Sequence, residues 1–249
     1  MKSISSITVL VFLIFCVATV IGVYAATIEL VDSGQSLGSA DENGTFVYLG
    51  DIDGDNDIDA VVALCLHANR VWENDGGGKF SDPGTRLGGN ESRGMALGDV
   101  DGDGDLDVFL TISAAGDQVW LNDGAGNFSE SGQTLGPASG HRHVALGDLD
   151  IDGDLDAFVT NSESGSKVYF NDGAGVFGDS GQTLGTRAQK VHLVDLDSDG
   201  DFDAIATHMD DGNPLWINDG AGTFSHAGQS VGGVGVISVA SGDVDANGT

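Results

Sequence analysis

Aspartates at alternate positions of a short segment are the residues of this chain best suited to chemistry. The first copy of this ladder reads Asp51-Ile52-Asp53-Gly54-Asp55-Asn56-Asp57-Ile58-Asp59, and further copies begin at Asp99, Asp148 and Asp195. A broken copy begins at Asp243. Carboxylates held this close together repel one another unless a hard cation lies among them. Each ladder therefore predicts a site for a divalent metal ion.

We number each ladder from 1 to 9. Carboxylates at positions 1, 3, 5 and 9 can converge on one ion, together with the backbone carbonyl at position 7. Oxygen-only ligation favours Ca²⁺ over zinc or copper, and we expect about one Ca²⁺ per complete repeat. The predicted metal residues are Asp51, Asp53, Asp55, Asp57 and Asp59; Asp99, Asp101, Asp103, Asp105 and Asp107; Asp148, Asp150, Asp152, Asp154 and Asp156; and Asp195, Asp197, Asp199, Asp201 and Asp203.

Other positions of the ladder narrow the type of site. Position 6 needs a sharp turn, and it holds Gly104, Gly153 or Gly200, with Asn56 in the first copy. An EF-hand needs a glutamate at position 12 and flanking helices, whereas a β-prone apolar run follows each ladder here. An EF-hand or dockerin-type loop is therefore disfavoured. The simplest alternative is an empty acidic turn, which four copies in matching register make less attractive.

The ladders recur every 47 to 49 residues, and each period carries the same four apolar segments. In the first period these cover residues 46–49, 60–66, 71–72 and 80–87, and the third segment ends in Asn-Asp-Gly, a hairpin signal. Four short strands in a meander form one blade of a β-propeller, so we predict an all-β propeller of four-stranded blades. An open β-solenoid and a string of small domains are the alternatives. Solenoid coils are usually shorter, and no linker separates the copies.

The period also divides the chain into units. Repeats lie near residues 45–88, 93–136, 141–185 and 189–232, and a partial repeat covers 236–249, so residues 27–249 predict four complete blades and the start of a fifth. The segment from Ile28 to Gly38 matches a fourth strand and would complete the last blade of a closed ring. Four blades and a stump do not close an ordinary ring. We therefore expect a truncated seven- or eight-bladed ring whose open arc self-associates.

The N-terminal residues 1–26 have the pattern of a secretory signal peptide. Lys2 precedes an apolar run over residues 7–23, and Ala25 and Ala26 offer small residues for cleavage. An uncleaved anchor is the alternative, and it is the one route by which we expect this chain to contact a membrane. The expected location is therefore outside the cell or at its surface. Cys65 is then the single cysteine of the mature chain, and its apolar surroundings predict a buried, inert thiol.

Composition excludes some classes of function. The formal net charge is −30, which disfavours nucleic acid as a partner because phosphate binding requires the opposite sign. The hydrophobic share of 40% is large enough for a folded core. No His-Glu-x-x-His or phosphate-binding loop is present in the sequence, and Gly-x-Ser-x-Gly occurs only at the end of fourth-strand segments of the repeat, at residues 34–38 and 228–232.

The motif Asp-x-Asp-Gly-Asp-x-Asp, followed by an apolar strand and repeated at this period, resembles the FG-GAP/VCBS repeats of integrin-α-like β-propellers. The resemblance covers nearly all of residues 28–249. It implies a secreted or surface propeller, usually seven-bladed, with calcium in the hairpin between the two inner strands and a role in adhesion or recognition. A propeller domain of a secreted polysaccharide lyase or hydrolase is the alternative function. A cluster of basic residues, histidine or tyrosine in the central funnel, away from the metal, would favour the enzyme.

The topology of a blade also predicts a ligand face. The ladders and Asn-Asp-Gly turns lie at one end of the strands, so the other connections lie at the opposite end. Seven basic residues fall there, with His141, His143, His192 and His208 there or close by. The seven are Arg70, Arg86, Arg93, Arg142, Lys167, Arg187 and Lys190. We expect a protein or glycan ligand on this face. The alternative is that basic residues simply avoid the calcium end.

Overall fold

The computed structural model describes residues 33–38, 44–65, 67–89, 91–209, 212–233, 235–236 and 238–239. In these residues the chain forms seventeen strands and no helix. The predicted signal segment, residues 28–32 of the predicted orphan strand and the broken fifth ladder lie outside the described residues.

The strands form four antiparallel sheets in which strands pair in sequence order, except that the last strand of the first sheet pairs with the third. The first contains β1 (Gly44–Gly50), β2 (Asp59–Leu64), β3 (Asn69–Asn74), β4 (Phe80–Ser81) and β5 (Arg86–Leu87). The second contains β6 (Ser92–Gly98), β7 (Asp107–Ile112), β8 (Gln118–Asn122) and β9 (Phe128–Glu130). The third contains β10 (His141–Gly147), β11 (Asp156–Asn161), β12 (Lys167–Asn171) and β13 (Phe177–Asp179). The fourth contains β14 (Ala188–Val194), β15 (Asp203–His208), β16 (Asn213–Ile217) and β17 (Ser225–Val231). The predicted all-β fold of four-stranded propeller blades is confirmed.

Each ladder forms the loop of the hairpin between the first two strands of its blade. Gly50, just before position 1 of the first ladder, pairs with Asp59 at position 9, and the other three blades repeat this register. The ladder is therefore one loop closed by the first rung of a β-hairpin. This closure holds positions 1 and 9 side by side.

Two strand predictions were wrong in detail. The second strand of the first blade ends at Leu64 because the chain bends at Cys65, and this free cysteine is half-buried rather than buried. The fourth strand of the same blade is split into β4 and β5, since Gly84 between them has φ of +98°. In the second and third blades its far part is reduced to a single bridge. Only β17 of the fourth blade runs through, with an irregular register against β16.

The hydrophobic core lies between the blades. Three apolar clusters join the first blade to the second, the second to the third and the third to the fourth. The phenylalanine that opens the fourth strand packs on the second strand of the preceding blade. Phe177 meets Phe109 edge to face at a centroid distance of 5.2 Å, and Phe224 meets Phe158 at 5.3 Å. A single blade could not bury these side chains, so the blades stabilise one another in pairs.

Asparagine side chains join the ladder of each blade to the ladder before it. Asn171, which follows the third strand, donates from Nδ2 to the carbonyl of Val100 in the preceding ladder at 2.7 Å and to the carbonyl of Leu155 in its own ladder at 3.2 Å. Asn122 and Asn218 make the same pair of bonds. Asn74 Nδ2 donates to the carbonyl of Ile58, in its own ladder, and Asn74 Oδ1 accepts from the N–H of Gly78. The Asn-Asp-Gly motif is therefore a connection between blades as well as a hairpin turn.

Glutamine side chains form a second connection, further out on the blades. Gln133 of the second blade donates to the carbonyl of Gly175 at 2.6 Å and accepts from the backbone N–H of Phe177 at 2.8 Å. Gln182 makes the same pair of bonds to the fourth blade, and Gln35 makes it to the first blade. The segment 33–38 therefore lies against the first blade as the fourth strand of one blade lies against the next.

The ladder loops need left-handed backbone at two positions. Position 6 was predicted to need it, and φ there is +98° to +101° at the three glycines and +70° at Asn56. Position 4 also requires it, which the sequence analysis missed. Ile151 occupies that position in the third ladder with φ of +62°, and its side chain is 62% exposed. A β-branched residue in this conformation is strained.

We expect Ile151→Gly to raise the free energy of unfolding by about 1 kcal/mol, because glycine adopts positive φ without steric cost. The matched control is Gly102→Ile at position 4 of the second ladder, which should lower it by at least a similar amount. Urea denaturation at fixed calcium measures both changes. A less stable Ile151→Gly protein would show that the isoleucine side chain contributes more than its backbone strain costs.

We expect Asn171→Ala to destabilise the protein by about 2 kcal/mol, since one buried and one part-buried carbonyl lose their donor. Asn74→Ala removes a bond within its own ladder and a bond from the N–H of Gly78, both exposed, so it should cost less. Thermal and urea unfolding of the two variants, compared with the parent chain, tests the difference. Equal losses would mean that the bond between ladders adds nothing to stability.

Candidate metal centre

The structure brings the predicted carboxylates together in every complete ladder. In the first three loops, carboxylate oxygens at positions 1, 3 and 9 lie within 4.8 Å of one another; in the fourth, the group is positions 1, 3 and 5. The clusters are Asp51, Asp53 and Asp59; Asp99, Asp101 and Asp107; Asp148, Asp150 and Asp156; and Asp195, Asp197 and Asp199. Position 5 is not part of the group in the first three loops, nor is position 9 in the fourth.

The carboxylate at position 1 organises the loop around itself. Asp99 accepts hydrogen bonds from the backbone N–H groups of Gly102 at 2.8 Å and Gly104 at 3.0 Å. Asp51 accepts the equivalent bonds from Gly54 and Asn56. These bonds curl the loop so that its alternate side chains point towards one centre.

The carboxylate at position 9 is the buried anchor of the site. Asp107 is fully buried and accepts one bond from the N–H of Val100 at 2.9 Å and one from the N–H of Asn122 at 2.8 Å. Burial raises the pKa of Asp107 to about 6, although these two backbone donors oppose the shift. Asp156 has the same contacts, and burial raises its pKa to about 6 as well.

Position 3 carries the clearest sign of an ion. One carboxylate oxygen of Asp101 and one of Asp150 are buried and have no hydrogen-bond partner. Burial raises the pKa of both groups, and neighbouring ladder carboxylates raise it further. Buried carboxylate oxygens are ordinarily paired, so these two are placed as ligand atoms would be.

Positions 5 and 7 have different roles. The side chain at position 5 accepts from the N–H at position 7, as Asp103 does from Asp105 at 3.0 Å. The side chain of Asp105 turns towards Gly124 of its own Asn-Asp-Gly turn, where any Cβ would collide with its carboxylate. This orientation is compatible with a ligand role for the backbone carbonyl at position 7. The position of the Asp105 carboxylate also explains why the turn has a glycine at residue 124.

The donor set fits a hard divalent cation. Each cluster offers carboxylate oxygens, and neither cysteine nor histidine joins any of the four among the described residues. Oxygen-rich sites of this kind select calcium or magnesium over zinc and copper. A loop with several flexible monodentate carboxylates suits the larger, less demanding calcium ion better than the strict octahedron of magnesium.

The basic residues predicted at the opposite end are mostly engaged with neighbours. Arg70 and Arg86 bind Asp82 at 3.3 Å and 2.8 Å, and Lys167 lies 3.3 Å from Asp179. Such half-exposed ion pairs contribute little to stability. The Nε of Arg142 donates to Ser162 in the same region.

One group of side chains at the opposite end combines a lysine, an aromatic ring and a histidine. Lys190 Nζ lies 4.9 Å above the ring of Phe46, and the ring of His143 meets the same phenylalanine at 6.3 Å. The three residues belong to β14, β1 and β10, the first strands of three blades, and the first strands pack in the order β1, β6, β10 and β14. Burial and the charge of Lys190 lower the pKa of His143 to about 4, so its imidazole is neutral at physiological pH. We call Phe46, His143 and Lys190 the axial cluster.

Another pair near that end is structural. His141 Nδ1 and Asp117 form a short contact between the second and third blades, and both side chains are buried. Asn69 and Ser92 occupy the corresponding positions between the first two blades and are bonded at 2.9 Å. The His141–Asp117 contact therefore occupies, between the second and third blades, the place of the Asn69–Ser92 bond between the first two.

No helix of the described residues is long and apolar enough to cross a bilayer.

Comparisons with known proteins agree with the repeat pattern. No curated protein matches the chain in a sequence search. A family model described as an FG-GAP-like repeat matches three times, over residues 51–110, 99–159 and 148–206. The three overlapping matches cover more than half of the chain, and the chain therefore belongs to the FG-GAP-like repeat family.

Proposed function

We propose that this protein is a secreted or cell-surface β-propeller module that binds calcium in its ladders and serves adhesion or recognition. The observation that carries the calcium proposal is the buried, unpartnered oxygen at position 3 of the second and third ladders. A buried carboxylate oxygen without a donor, surrounded by like charges, is costly unless a cation is bound. Membership of the FG-GAP-like family supports the extracellular location, since such repeats are typical of extracellular and cell-surface proteins.

Different positions of the ladder would supply different ligands to the ion. Positions 1, 3, 5 and 9 would supply carboxylate oxygens, and position 7 would supply its carbonyl. Bound Ca²⁺ would neutralise the repulsion among these carboxylates. The loop would then draw the two inner strands of the blade together and, through the asparagine bonds, hold the neighbouring ladder in place. In this proposal calcium is a structural ion that keeps a recognition surface rigid.

Removal of calcium should therefore loosen the whole protein. At a free calcium concentration about ten times the dissociation constant, each site adds roughly 1.4 kcal/mol by linkage. Four such sites add about 6 kcal/mol, which is comparable with the net stability of many domains. We expect excess EGTA to lower the melting temperature by roughly 15 °C, and excess calcium to restore it. A melting temperature that EGTA leaves unchanged would contradict the proposal.

Each ladder should bind its ion separately. Asp101→Ala removes the position-3 ligand of the second ladder and leaves the other loops intact, so isothermal titration should lose about one calcium equivalent of the four clusters. Glu130→Ala is the control, because this exposed carboxylate of the same blade contacts Gln118 rather than the ladder. Loss of all binding in Asp101→Ala would show that the ladders form one shared site.

The ligand of the module is proposed to be a protein or glycan that binds the face opposite the calcium loops. The axial cluster supports this choice of face, because it combines a cation, an aromatic ring and a neutral imidazole at the strand ends remote from the acidic loops. Such mixed surfaces suit anionic or amphipathic groups. The lysine, in an otherwise strongly acidic protein, would select for negative charge.

The axial cluster also fits the alternative function, a propeller enzyme that acts on polysaccharides. A lysine and a neutral histidine near the propeller axis are groups that a polysaccharide lyase could use to bind a uronate and move a proton. Incubation with polygalacturonate separates the two functions. Release of unsaturated product, lost in Lys190→Ala, would favour the enzyme. Saturable binding without turnover, weakened in Lys190→Ala, would favour recognition.

A further inference from the structure

The contact between His141 and Asp117 is an exception among the side-chain links that join one blade to the next. His141 opens β10 of the third blade, and Asp117 directly precedes β8 of the second blade. The other two interfaces between described blades have uncharged side chains at the same positions, counted from the ladder. The second interface therefore holds titratable groups where the other two hold none. The uncharged pairs are Asn69 with Ser92 between the first and second blades, and Ser166 with Ala188 between the third and fourth.

Both side chains of the pair are closed off from water. His141 is 1% exposed and Asp117 is fully buried. Asp117 Oδ1 contacts the imidazole Nδ1 and accepts a hydrogen bond from the backbone N–H of Ile112 at 3.1 Å. The other carboxylate oxygen of Asp117, Oδ2, is buried and has no hydrogen-bond partner. Among the described residues, the imidazole is therefore the one side chain that can compensate the charge of this carboxylate.

The surroundings of the pair supply no second compensating charge. The hydroxyl of Tyr169 and the ring of His141 both lie against Gly136, where any side chain would collide with them. Burial raises the pKa of Tyr169, and the charge of Asp117 raises it further, so the phenol stays neutral. The ladder carboxylates on β7 and β11 lie at the far ends of those strands. The other titratable groups on the surrounding elements form no ion pair with His141 or Asp117 in the described part of the chain. These groups are Arg93 on β6, Glu130 on β9, Arg142 and His143 on β10, Glu163 in the loop before β12, Lys167 on β12, Asp179 on β13, and Lys190 and His192 on β14.

A buried pair of this kind is most stable with a single proton between its two groups. One proton leaves the pair without net charge, whereas loss of that proton leaves a buried carboxylate beside a neutral imidazole, which is costly. In an unfolded chain, histidine releases its proton at about pH 6.5 and aspartate at about pH 4. Burial raises the pKa of Asp117, although the hydrogen bond with His141 opposes the shift. The folded protein therefore holds a proton that the unfolded chain releases. The resulting stability is fully present below about pH 6.5 and is lost as the pH rises further.

We propose that the His141–Asp117 pair is a pH-sensitive link that holds the second and third blades together through one shared proton and weakens in alkaline solution. The link does not involve the ladders, so it is independent of the proposed calcium sites. His141 lies two residues before His143 on β10, so the strand that carries the link also carries part of the axial cluster. Weakening of the link would therefore act at the end of the blades that bears the proposed ligand face.

An exchange of side chains between interfaces tests the link. Asp117→Asn combined with His141→Ser installs the pair that joins the first two blades, so the double variant is expected to fold. Glu163→Gln is the control, because it removes an exposed carboxylate beside Gly140 and leaves the pair intact. Urea unfolding of the full chain at a fixed calcium concentration, from about pH 6 to about pH 9, gives the unfolding equilibrium constant of each protein.

Above about pH 6.5 we expect the unfolding constant of the parent chain, divided by that of the double variant, to rise on the order of tenfold per pH unit until the pair has lost its proton. Glu163→Gln should follow the parent, because its pair is unchanged. A ratio of parent to double variant that does not change with pH would overturn the proposal, whether or not the ladders bind calcium.

An NMR titration of the parent chain gives a second test that requires no substitution. The ring signals of His141 report the loss of the shared proton from the folded pair. We expect the midpoint of their change to lie well above the value of about pH 6.5 that is usual for an exposed imidazole. A midpoint at or below that value would mean that the folded pair does not retain the proton, and the proposal would be wrong.

Discussion

The repulsion among carboxylates in each hairpin loop is the constraint on which the rest of the structure depends. Every ladder holds three carboxylates within 4.8 Å of one another, and two position-9 groups have pKa values raised to about 6 by burial. Such loops are stable only if backbone hydrogen bonds fix their shape and a positive charge compensates the carboxylates. The N–H bonds to positions 1 and 9 provide the shape, and the proposed ion provides the charge.

The ladder loops also carry hydrogen bonds from one blade to the next. Asp156 accepts from the backbone N–H of Asn171, and the side chain of Asn171 donates to the carbonyl of Val100 in the preceding ladder. Two hydrogen bonds in series thus connect the position-9 carboxylate of one ladder to the backbone of the preceding ladder. In the proposed function, an ion bound in one ladder would therefore stabilise the interface with the neighbouring blade as well as its own hairpin. The glutamine bonds repeat this linkage further from the axis.

The location of the loops and the four-stranded blades could be predicted because both are local signals. Asp-x-Asp spacing, Asn-Asp-Gly turns and alternating apolar segments lie within a single repeat. The asparagine bonds were missed because the hairpin turn already explained Asn122 and Asn171, and their partners lie about 70 residues away. The fourth strand was predicted too long because its apolar ends mask a left-handed glycine between them. Cys65 was placed in a strand that ends one residue earlier.

The axial cluster shows the limit of inference from the sequence. Phe46, His143 and Lys190 come from three repeats and meet through the arrangement of the first strands. Non-local contacts of this kind depend on how the blades stack.

Anomalous X-ray diffraction from crystals grown with calcium tests the central claim most directly, because it locates the ions without assuming the ligands. The account predicts one peak inside each complete ladder, among the carboxylates of positions 1, 3 and 9 in the first three ladders and of positions 1, 3 and 5 in the fourth. Ladders without peaks at saturating calcium, or peaks confined to sites outside the ladders, would contradict it.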